Sequence, residues 1–220
     1  MVVMVYLLSG THGVYGRDPK VVVRSKPGTF NAPLNWARKL KPGTKVFPCS
    51  WSDWFIAQAD EWRAEAWEII RRTPQFTYQI LTKRPENIAD RLPADWGEGY
   101  PNVWLGVSIE APGYLERGKV LEKIPAAVRF ISYEPALAAV DFRELFYWQR
   151  FHWLISGGES GTNPRPANLD WFRQVREDCH NYGIAYFHKQ HGGSRQIDGA
   201  WGGRILDGRI HHEFPKGDRP

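Results

Sequence analysis

Six short apolar or β-branched segments recur along the chain, and each is followed by a small cluster of polar residues. Segments that are apolar at successive positions are typical of strands buried on both faces, as in a parallel sheet covered by helices. The six predicted strands are Lys45–Cys49, Thr77–Leu81, Val103–Val107, Val128–Ile131, His152–Ile155 and Ile184–His188.

Segments with helical spacing separate most of these predicted strands. Asp60–Arg72 begins with acids and ends with arginines, as the helix dipole favours. Asn168–Tyr182 begins with Asn168 as the predicted N-cap and is followed by Gly183 as the predicted C-cap. Shorter helices are predicted at Pro85–Leu92, Tyr114–Lys123 and Ala138–Phe146. This alternation predicts an α/β fold, an incomplete parallel (β/α) barrel of the TIM type.

The chain is predicted to form one domain, residues 1–220, in three parts. Residues 1–44 are an irregular basic arm whose apolar run Val2–Leu8 is an isolated strand, and residues 45–190 are the partial barrel. Residues 191–220 are a tail with a β-hairpin, because an Asp-Gly pair at 207–208 separates two short strand-like segments.

Composition narrows the class of protein. The run Val2–Leu8 is too short to span a bilayer, so no membrane partner is expected. Only Cys49 and Cys179 are cysteines, which excludes a disulfide scaffold and favours the cytoplasm. The net charge of +5 is compatible with an anionic ligand or a nucleic acid. The 11 Trp residues are predicted to pack mainly in the core.

The residues that follow the predicted strands are the candidate site. In parallel α/β barrels the active site is built at the carboxyl ends of the strands. These positions hold Ser50, Ser52, Asp53, Lys83, Glu110, Glu134, Gly157, Gly158, Glu159 and Lys189. Carboxylates and cations around one mouth predict a site for a polar, zwitterionic or charged small molecule.

Structural roles remain open for several of these residues. Asp53 is also suited to capping a short helix, and Lys83 with Arg84 is suited to pairing with Glu110 or Glu134. The glycines of Gly157–Gly158 are suited to a sharp turn as well as to a ligand cradle. Four histidines near the C-terminus lack an established metal-ligand spacing. Cys49 is predicted to be buried rather than reactive.

Successive strand-end segments resemble one family. VFPCSWSDWF, TYQILTKRPEN, VWLGVSIE, VRFISYEPAL, HWLISGGESG and FHKQHGG are similar to consecutive blocks of a radical-SAM-like family of uncharacterised proteins from phages, mobile elements and bacteria. The terminal WGGRILDGRIHHEFP is similar to the closing hairpin of that family. The resemblance extends from Gly16 to Pro215.

The resemblance implies a fold and a chemistry. Members are expected to form an incomplete TIM-type barrel and to carry an N-terminal three-cysteine loop that holds a [4Fe–4S] cluster, on which S-adenosylmethionine is cleaved. The resemblance assigns the methionine end of that cofactor to Ser50, Ser52, Asp53, Gly157, Gly158 and Glu159. It assigns the catalytic, substrate-facing positions to Lys83, Glu110, Glu134 and Lys189.

The chain departs from the family pattern at the cluster loop. Residues 1–15 contain no cysteine, and two cysteines in all cannot supply three ligands. Two explanations are expected: the sequence begins downstream of the loop, or a different N-terminus has replaced it. The resemblance implies S-adenosylmethionine as the cofactor, whereas the cluster does not follow from this sequence.

Three classes of function remain as hypotheses. The first is a radical-SAM-type enzyme of unknown substrate, inactive or truncated, or a cluster-less descendant that still binds S-adenosylmethionine. The second is a phage-derived accessory protein that contacts nucleic acid through the basic arm and the Lys83–Arg84 segment. The third is a barrel hydrolase or lyase, metal-dependent or not, that uses Glu110, Glu134 and Glu159. The first predicts a small-molecule or nucleotide-like substrate, and the sequence predicts no oligomeric state.

Overall fold

A computed structural model describes residues 2–4, 8–9, 22–49 and 52–215 of the chain. The chain forms two compact units. Residues up to Gly106, together with Ile124–Ala127, belong to the first unit, and Val107–Lys123 with Val128–Arg219 belong to the second. The single domain 1–220 stays a prediction.

The first unit contains parallel strands and an antiparallel pair. Its strands are β1 (Val2–Met4), β2 (Leu8–Ser9), β3 (Val23–Arg24), β4 (Lys45–Phe47), β5 (Thr77–Thr82) and most of β6 (Val103–Ser108). The strand order is β1-β4-β5-β6, with β4 parallel to both β1 and β5. Strands β2 and β3 form a separate antiparallel pair. The segment predicted as one isolated strand therefore supplies two strands, and the first of them joins the main sheet.

One long helix and several short ones complete the first unit. The helices are α1 (Pro27–Phe30), α2 (Ala32–Trp36) and α3 (Asp60–Arg72). Helix α3 has acids in its first turn and arginines in its last, and its apolar side is buried. Trp54, Trp67, Trp96 and Tyr100 pack with ring centroids 5.0–6.2 Å apart.

The second unit repeats the alternation of strands and helices. After the end of β6, its order is β7 (Val128–Tyr133), β8 (Trp153–Gly157) and β9 (Ala185–Gln190), with β8 parallel to both neighbours. Its helices are α4 (Glu116–Glu122), α5 (Arg143–Phe146) and α6 (Leu169–Tyr182). Asn168 accepts a hydrogen bond from the Asp170 N–H at the start of α6, and Gly183 ends the helix in the left-handed region at φ 70°. Both predicted caps are confirmed.

Two small hairpins and a terminal segment follow β9. The hairpins pair β10 (Gln196–Ile197) with β11 (Ala200–Trp201), and β12 (Ile205–Leu206) with β13 (Arg209–Ile210). The second hairpin, with its turn at Asp207–Gly208, is confirmed, whereas the first was not predicted. Beyond it, the chain runs antiparallel to β9: the His188 N–H donates to the His211 carbonyl at 2.9 Å, and the Glu213 N–H to the Tyr186 carbonyl at 3.1 Å.

Most predicted elements match the structure, and two helices do not. Pro85–Leu92 contains two 3-10 turns, Pro85–Asn87 and Ala89–Arg91, rather than an α-helix. Ala138–Phe146 is helical only from Arg143, because the Asp141 carboxylate accepts the Arg143 N–H and starts the helix there. The predicted α/β class, with parallel strands and a C-terminal hairpin, is confirmed, and the incomplete barrel stays a prediction.

Half of the ten tryptophans that the structure describes are buried, four are partly buried and one is exposed, so the predicted packing in the core holds for part of them. Trp54, Trp67, Trp96, Trp104 and Trp153 are at most 6% exposed, whereas Trp148 is 67% exposed. Cys49 and Cys179 are both buried and unbridged, so the predicted burial of Cys49 is confirmed. Within the part of the chain that the structure describes, no helix has both the length and the apolar character needed to cross a membrane.

Candidate functional site

The strand-end residues of the first unit converge on Asp53. Asp53 is 9% exposed, and its carboxylate accepts hydrogen bonds from the Phe55 N–H at 2.9 Å and the Thr82 hydroxyl at 2.7 Å. It also accepts the Lys83 N–H at 2.9 Å and pairs with Arg84 Nη1 at 3.3 Å. The loop after β4 is therefore tied to the carboxyl end of β5 through one buried carboxylate.

This arrangement favours a structural role for Asp53. A carboxylate that accepts two backbone N–H groups and a hydroxyl already has most of its lone pairs occupied. Ser52 is half-buried beside it, with its N–H donating to the Cys49 carbonyl at 3.3 Å. Ser50 lies outside the described residues.

In the second unit, the segment after β7 places Glu134 among the neighbouring strand ends. The Ala136 N–H donates to the Gly157 carbonyl, and the Leu137 N–H donates to the Glu110 carbonyl, each at 2.9 Å. These two bonds fix the backbone that directly follows the cis Glu134–Pro135 peptide. The fold thereby holds Glu134 between the ends of β6 and β8.

Glu134 pairs with Lys189 from β9. Lys189 Nζ lies 3.2 Å from Glu134 Oε1, and the Ser132 hydroxyl lies 3.4 Å from Glu134 Oε2. The Glu134 side chain is 17% exposed and that of Lys189 is 56% exposed. A carboxylate therefore lies between a buried hydroxyl of β7 and an exposed ammonium group of β9.

Gly157 leaves space for this pair. A Cβ at Gly157 would lie 2.6 Å from Glu134 Oε1, so any side chain there would displace the carboxylate. Gly158 has a different role, since a Cβ there would collide with the backbone carbonyl of His191. The predicted glycine cradle is thus filled from within the chain, by a side chain at Gly157 and by backbone at Gly158.

The other two candidate carboxylates of this unit are held by arginines. Glu110 is 4% exposed, and Arg117 Nη1 donates to it at 2.8 Å while also donating to the Ser108 carbonyl. Glu159 forms a two-point ion pair with Arg165, at 2.6 and 2.9 Å, and accepts the Arg165 N–H at 2.7 Å. The side-chain and backbone bonds from Arg165 lower the pKa of Glu159 to about 2.

Glu134 is therefore the most available of the three second-unit carboxylates. Its contacts are the longest, at 3.2 and 3.4 Å, whereas the arginine contacts of Glu110 and Glu159 are 2.6–2.9 Å. The structure shows ion pairs of Arg84 with Asp53, Arg117 with Glu110, and Lys189 with Glu134. The pairing of Lys83 with Glu110 or Glu134 stays a prediction. The convergence of both groups of strand-end residues on one mouth stays a prediction.

The arginine partners were not found by sequence reasoning. Arg117 lies in the predicted helix Tyr114–Lys123, and only that placement pointed to its proximity to the end of β6. Arg165 lies in an irregular loop, where no periodicity indicates a partner. In the described ranges, no group of three or more His, Cys, Asp and Glu side chains is placed to hold a metal ion.

Comparison with known proteins gives one family. The family described as "Protein of unknown function (DUF5131)" matches residues 8–215. No curated protein matches significantly. No solved structure matches significantly either. The family match covers nearly the whole chain, and it brings no substrate or activity with it.

Proposed function

We propose that the second unit of this chain, which belongs to the DUF5131 family of unknown function, binds a small molecule through its α-amino-acid group. The residues that would bind this group are Glu134 and Lys189. S-adenosylmethionine is the candidate ligand, because the strand-end segments resemble those of a radical-SAM-like family. The resemblance assigns Glu134 and Lys189 to the substrate side, and the proposal differs from it in placing the amino-acid group of the ligand there. The observation that carries the proposal is the long contact of 3.2 Å between Glu134 and the 56% exposed Lys189.

The charges of this pair are complementary to those of an amino acid. Glu134 can accept hydrogen bonds from an α-ammonium group, and Lys189 can donate to an α-carboxylate. The Ser132 hydroxyl, 3.4 Å from the same carboxylate, supplies a further polar contact. Carboxyl ends of parallel strands are also where ligands bind in α/β proteins.

Opening the pair for a ligand costs little. Ion pairs with an exposed partner, as Lys189 is here at 56%, contribute about 0–1 kcal/mol to stability, because solvent screens the charges and both side chains lose rotational freedom. Exchanging the Glu134–Lys189 contact for two contacts to a zwitterion therefore sacrifices little folding energy. The buried Glu110–Arg117 pair offers no such exchange, since separating it would leave a buried charge unpaired.

The residues of this chain fit S-adenosylmethionine but not an iron–sulfur cluster. A [4Fe–4S] cluster of this kind needs three thiolates, and the sequence contains only Cys49 and Cys179. Burial raises the pKa of the Cys179 thiol well above its ordinary value, which disfavours the thiolate that a cluster needs. S-adenosylmethionine, when bound, supplies a reactive sulfonium centre. Catalytic roles for Lys83 and Glu110 stay predictions.

Equilibrium dialysis of the full chain against radiolabelled S-adenosylmethionine tests the proposal. We expect saturable binding that Glu134→Gln and Lys189→Met each weaken at least about tenfold, the equivalent of 1.4 kcal/mol. The exposed pair Lys119–Glu144, with a separation of 2.8 Å in the same unit, provides the matched controls Glu144→Gln and Lys119→Met. Both controls should bind as the unmodified chain does.

Two results would contradict the proposal. The first is the absence of binding by S-adenosylmethionine, methionine and S-adenosylhomocysteine alike. The second is binding that Glu134→Gln leaves unchanged, which would move the site elsewhere. Nucleic-acid binding, the alternative class, predicts instead a steep loss of oligonucleotide affinity with added salt.

A further inference from the structure

Four side chains of the second unit form a continuous hydrogen-bonded chain that links the C-terminal hairpin to helix α6. It begins at the Ile205 carbonyl of β12 and ends at the Phe172 carbonyl of α6. The register of β8 and β9 places Ser156 beside His188, and this pairing forms the middle of the chain. The five successive contacts are Ile205 O to His191 Nε2 (3.1 Å), His191 Nδ1 to His188 Nε2 (2.9 Å), His188 Nδ1 to Ser156 Oγ (2.9 Å), Ser156 Oγ to Tyr186 Oη (2.8 Å) and Tyr186 Oη to Phe172 O (3.2 Å).

The four side chains supply one proton fewer than the five contacts of this hydrogen-bonded chain require. Two neutral imidazoles, one serine and one tyrosine carry one N–H or O–H proton each, which gives four protons for five contacts. Both terminal groups are carbonyls, which only accept. One contact in the neutral chain therefore lacks a proton, and a single added proton completes all five.

The donors and acceptors of the interior hydrogen bonds are reversed between the neutral and the protonated state. We assign the contact that lacks a proton in the neutral state to the longest of the five, Tyr186 Oη to the Phe172 carbonyl at 3.2 Å. His191 then donates to the Ile205 carbonyl, and His188 donates to His191. In the protonated state His191 donates at both nitrogens. His188 then donates through Nδ1 to Ser156, Ser156 donates to Tyr186, and Tyr186 donates to the Phe172 carbonyl.

Burial decides which histidine carries the positive charge. His188 is fully buried against the Phe172 ring, with ring centroids 4.7 Å apart. Burial, with smaller effects from His191 and His211, lowers the pKa of His188 to about 3. His191 is half-exposed and lines a cavity of about 270 Å³ with Asp198 and Arg204. We therefore place the added proton on the half-exposed ring of His191, and His188 stays neutral and changes tautomer.

We propose that this network of four side chains acts as a proton-operated latch, which means that it holds the C-terminal hairpin more firmly after it has taken up a proton. Proton uptake at His191 strengthens its bond to the Ile205 carbonyl, since charge-assisted hydrogen bonds are roughly twice as strong as neutral ones. The same proton reverses the interior bonds and ties Tyr186 to α6. A second histidine, His211, contacts the adjacent Leu206 carbonyl at 3.3 Å, so the hairpin strand is held by imidazoles at two successive positions.

Long-range ¹H–¹⁵N correlation spectra of the histidine-labelled full chain between pH 8 and 5 test the latch. We expect His188 to change from the Nε2–H to the Nδ1–H tautomer with the same midpoint as the protonation of His191. Over the same interval, the amides of His191 and Gly192, which donate to the Gly203 and Trp201 carbonyls, should gain several-fold protection from exchange after correction for intrinsic rates.

Tyr186→Phe removes the innermost link and should move the His191 midpoint to lower pH by about half a unit or more. His180→Gln, at an exposed position of α6 outside the chain, should not move it. If His188 keeps one tautomer while His191 titrates, protonation of His191 is not coupled to the interior hydrogen bonds and the proposal fails. Unchanged amide protection would show that the proton does not act on the hairpin. The unmodified chain provides both answers, whether or not a variant folds.

Discussion

Asp53 and Glu134 both lie in segments that follow a parallel strand, Asp53 six residues after β4 and Glu134 directly after β7, yet their hydrogen-bond partners differ. Asp53 accepts four hydrogen bonds of 2.7–3.3 Å, two of them from backbone N–H groups. Glu134 has a lysine at 3.2 Å and a hydroxyl at 3.4 Å. The first carboxylate is used to join two loops, and the second keeps the capacity to bind something else.

The difference shows that a strand-end position does not by itself define a functional residue. What distinguishes the two carboxylates is whether the chain supplies their partners from backbone groups or from mobile side chains. Backbone donors are fixed by the fold and cannot be exchanged for a ligand, whereas an exposed lysine can move. The predictions below test this distinction through stability and through binding.

The largest effect is expected at Asp53. Asp53→Ala leaves the Phe55 and Lys83 N–H groups and the Thr82 hydroxyl without their acceptor in a buried place. The free energy of unfolding should fall by about 3 kcal/mol. Urea denaturation measures this change. A loss below about 1 kcal/mol would show that the carboxylate does not hold the two loops together.

Substitutions at the adjacent glycines, Gly157 and Gly158, should likewise differ in their effect on stability, because one meets a movable side chain and the other meets backbone. Gly158→Ala places a Cβ against the His191 backbone carbonyl and should cost about 2 kcal/mol, because backbone must shift. Gly157→Ala meets only the movable Glu134 side chain, so it should cost under about 1 kcal/mol but abolish ligand binding. Gly113→Ala, which meets no atom within 4 Å, is the control. Equal losses of stability at Gly157 and Gly158 would contradict this distinction.

The ion pair between Glu159 and Arg165 should make the free energy of unfolding depend on pH. Its folded-state pKa of about 2 lies below its ordinary value of 4.5, so its stabilising effect is complete above pH 4.5 and is lost as the pH falls toward 2. The difference in unfolding free energy between the unmodified chain and Glu159→Gln should shrink over that interval. Denaturation curves at pH 6, 4.5 and 3 measure it. Parallel pH profiles for the two proteins would mean that the pair does not form in solution.

The smallest effect on stability is expected at Glu134. Glu134→Gln should change the free energy of unfolding by less than about 0.5 kcal/mol, since the contact it breaks is long, at 3.2 Å, and its partner Lys189 is exposed to solvent. The same variant is expected to lose ligand binding. A stability loss as large as that of Asp53→Ala would instead assign Glu134 a structural role.

Much of the fold was predictable because burial imposes a pattern on the sequence. All six predicted strands exist, and five of them extend beyond their last apolar residue, as β5 does to Thr82 and β8 to Gly157. Backbone pairing continues into the polar residues, which an apolar pattern does not register. Helix α3 was predicted with its observed bounds, because its periodicity and terminal charges agree. Pro85–Leu92 lacks such a sustained pattern and forms 3-10 turns.

The candidate site was predictable only as a set of positions. Its pairings depend on side chains that return from loops and helices, as Arg165 does to Glu159, and no periodicity encodes such contacts. The His191–His188–Ser156–Tyr186 chain needs the register of β8 against β9, which the sequence does not specify. Sequence reasoning weighed these histidines as metal ligands, whereas each ring nitrogen of His188 and His191 has a hydrogen-bond partner.

The segment that runs antiparallel beside β9 also protects the chain from self-association. An uncovered strand at the margin of a sheet presents unpaired N–H and carbonyl groups to any other strand. Here the N–H of His188 and the carbonyl of Tyr186 are already bonded to residues 211 and 213. Molecules that lose this terminal segment would expose β9 as a template, and they are expected to aggregate through strand addition before their own sheet unfolds.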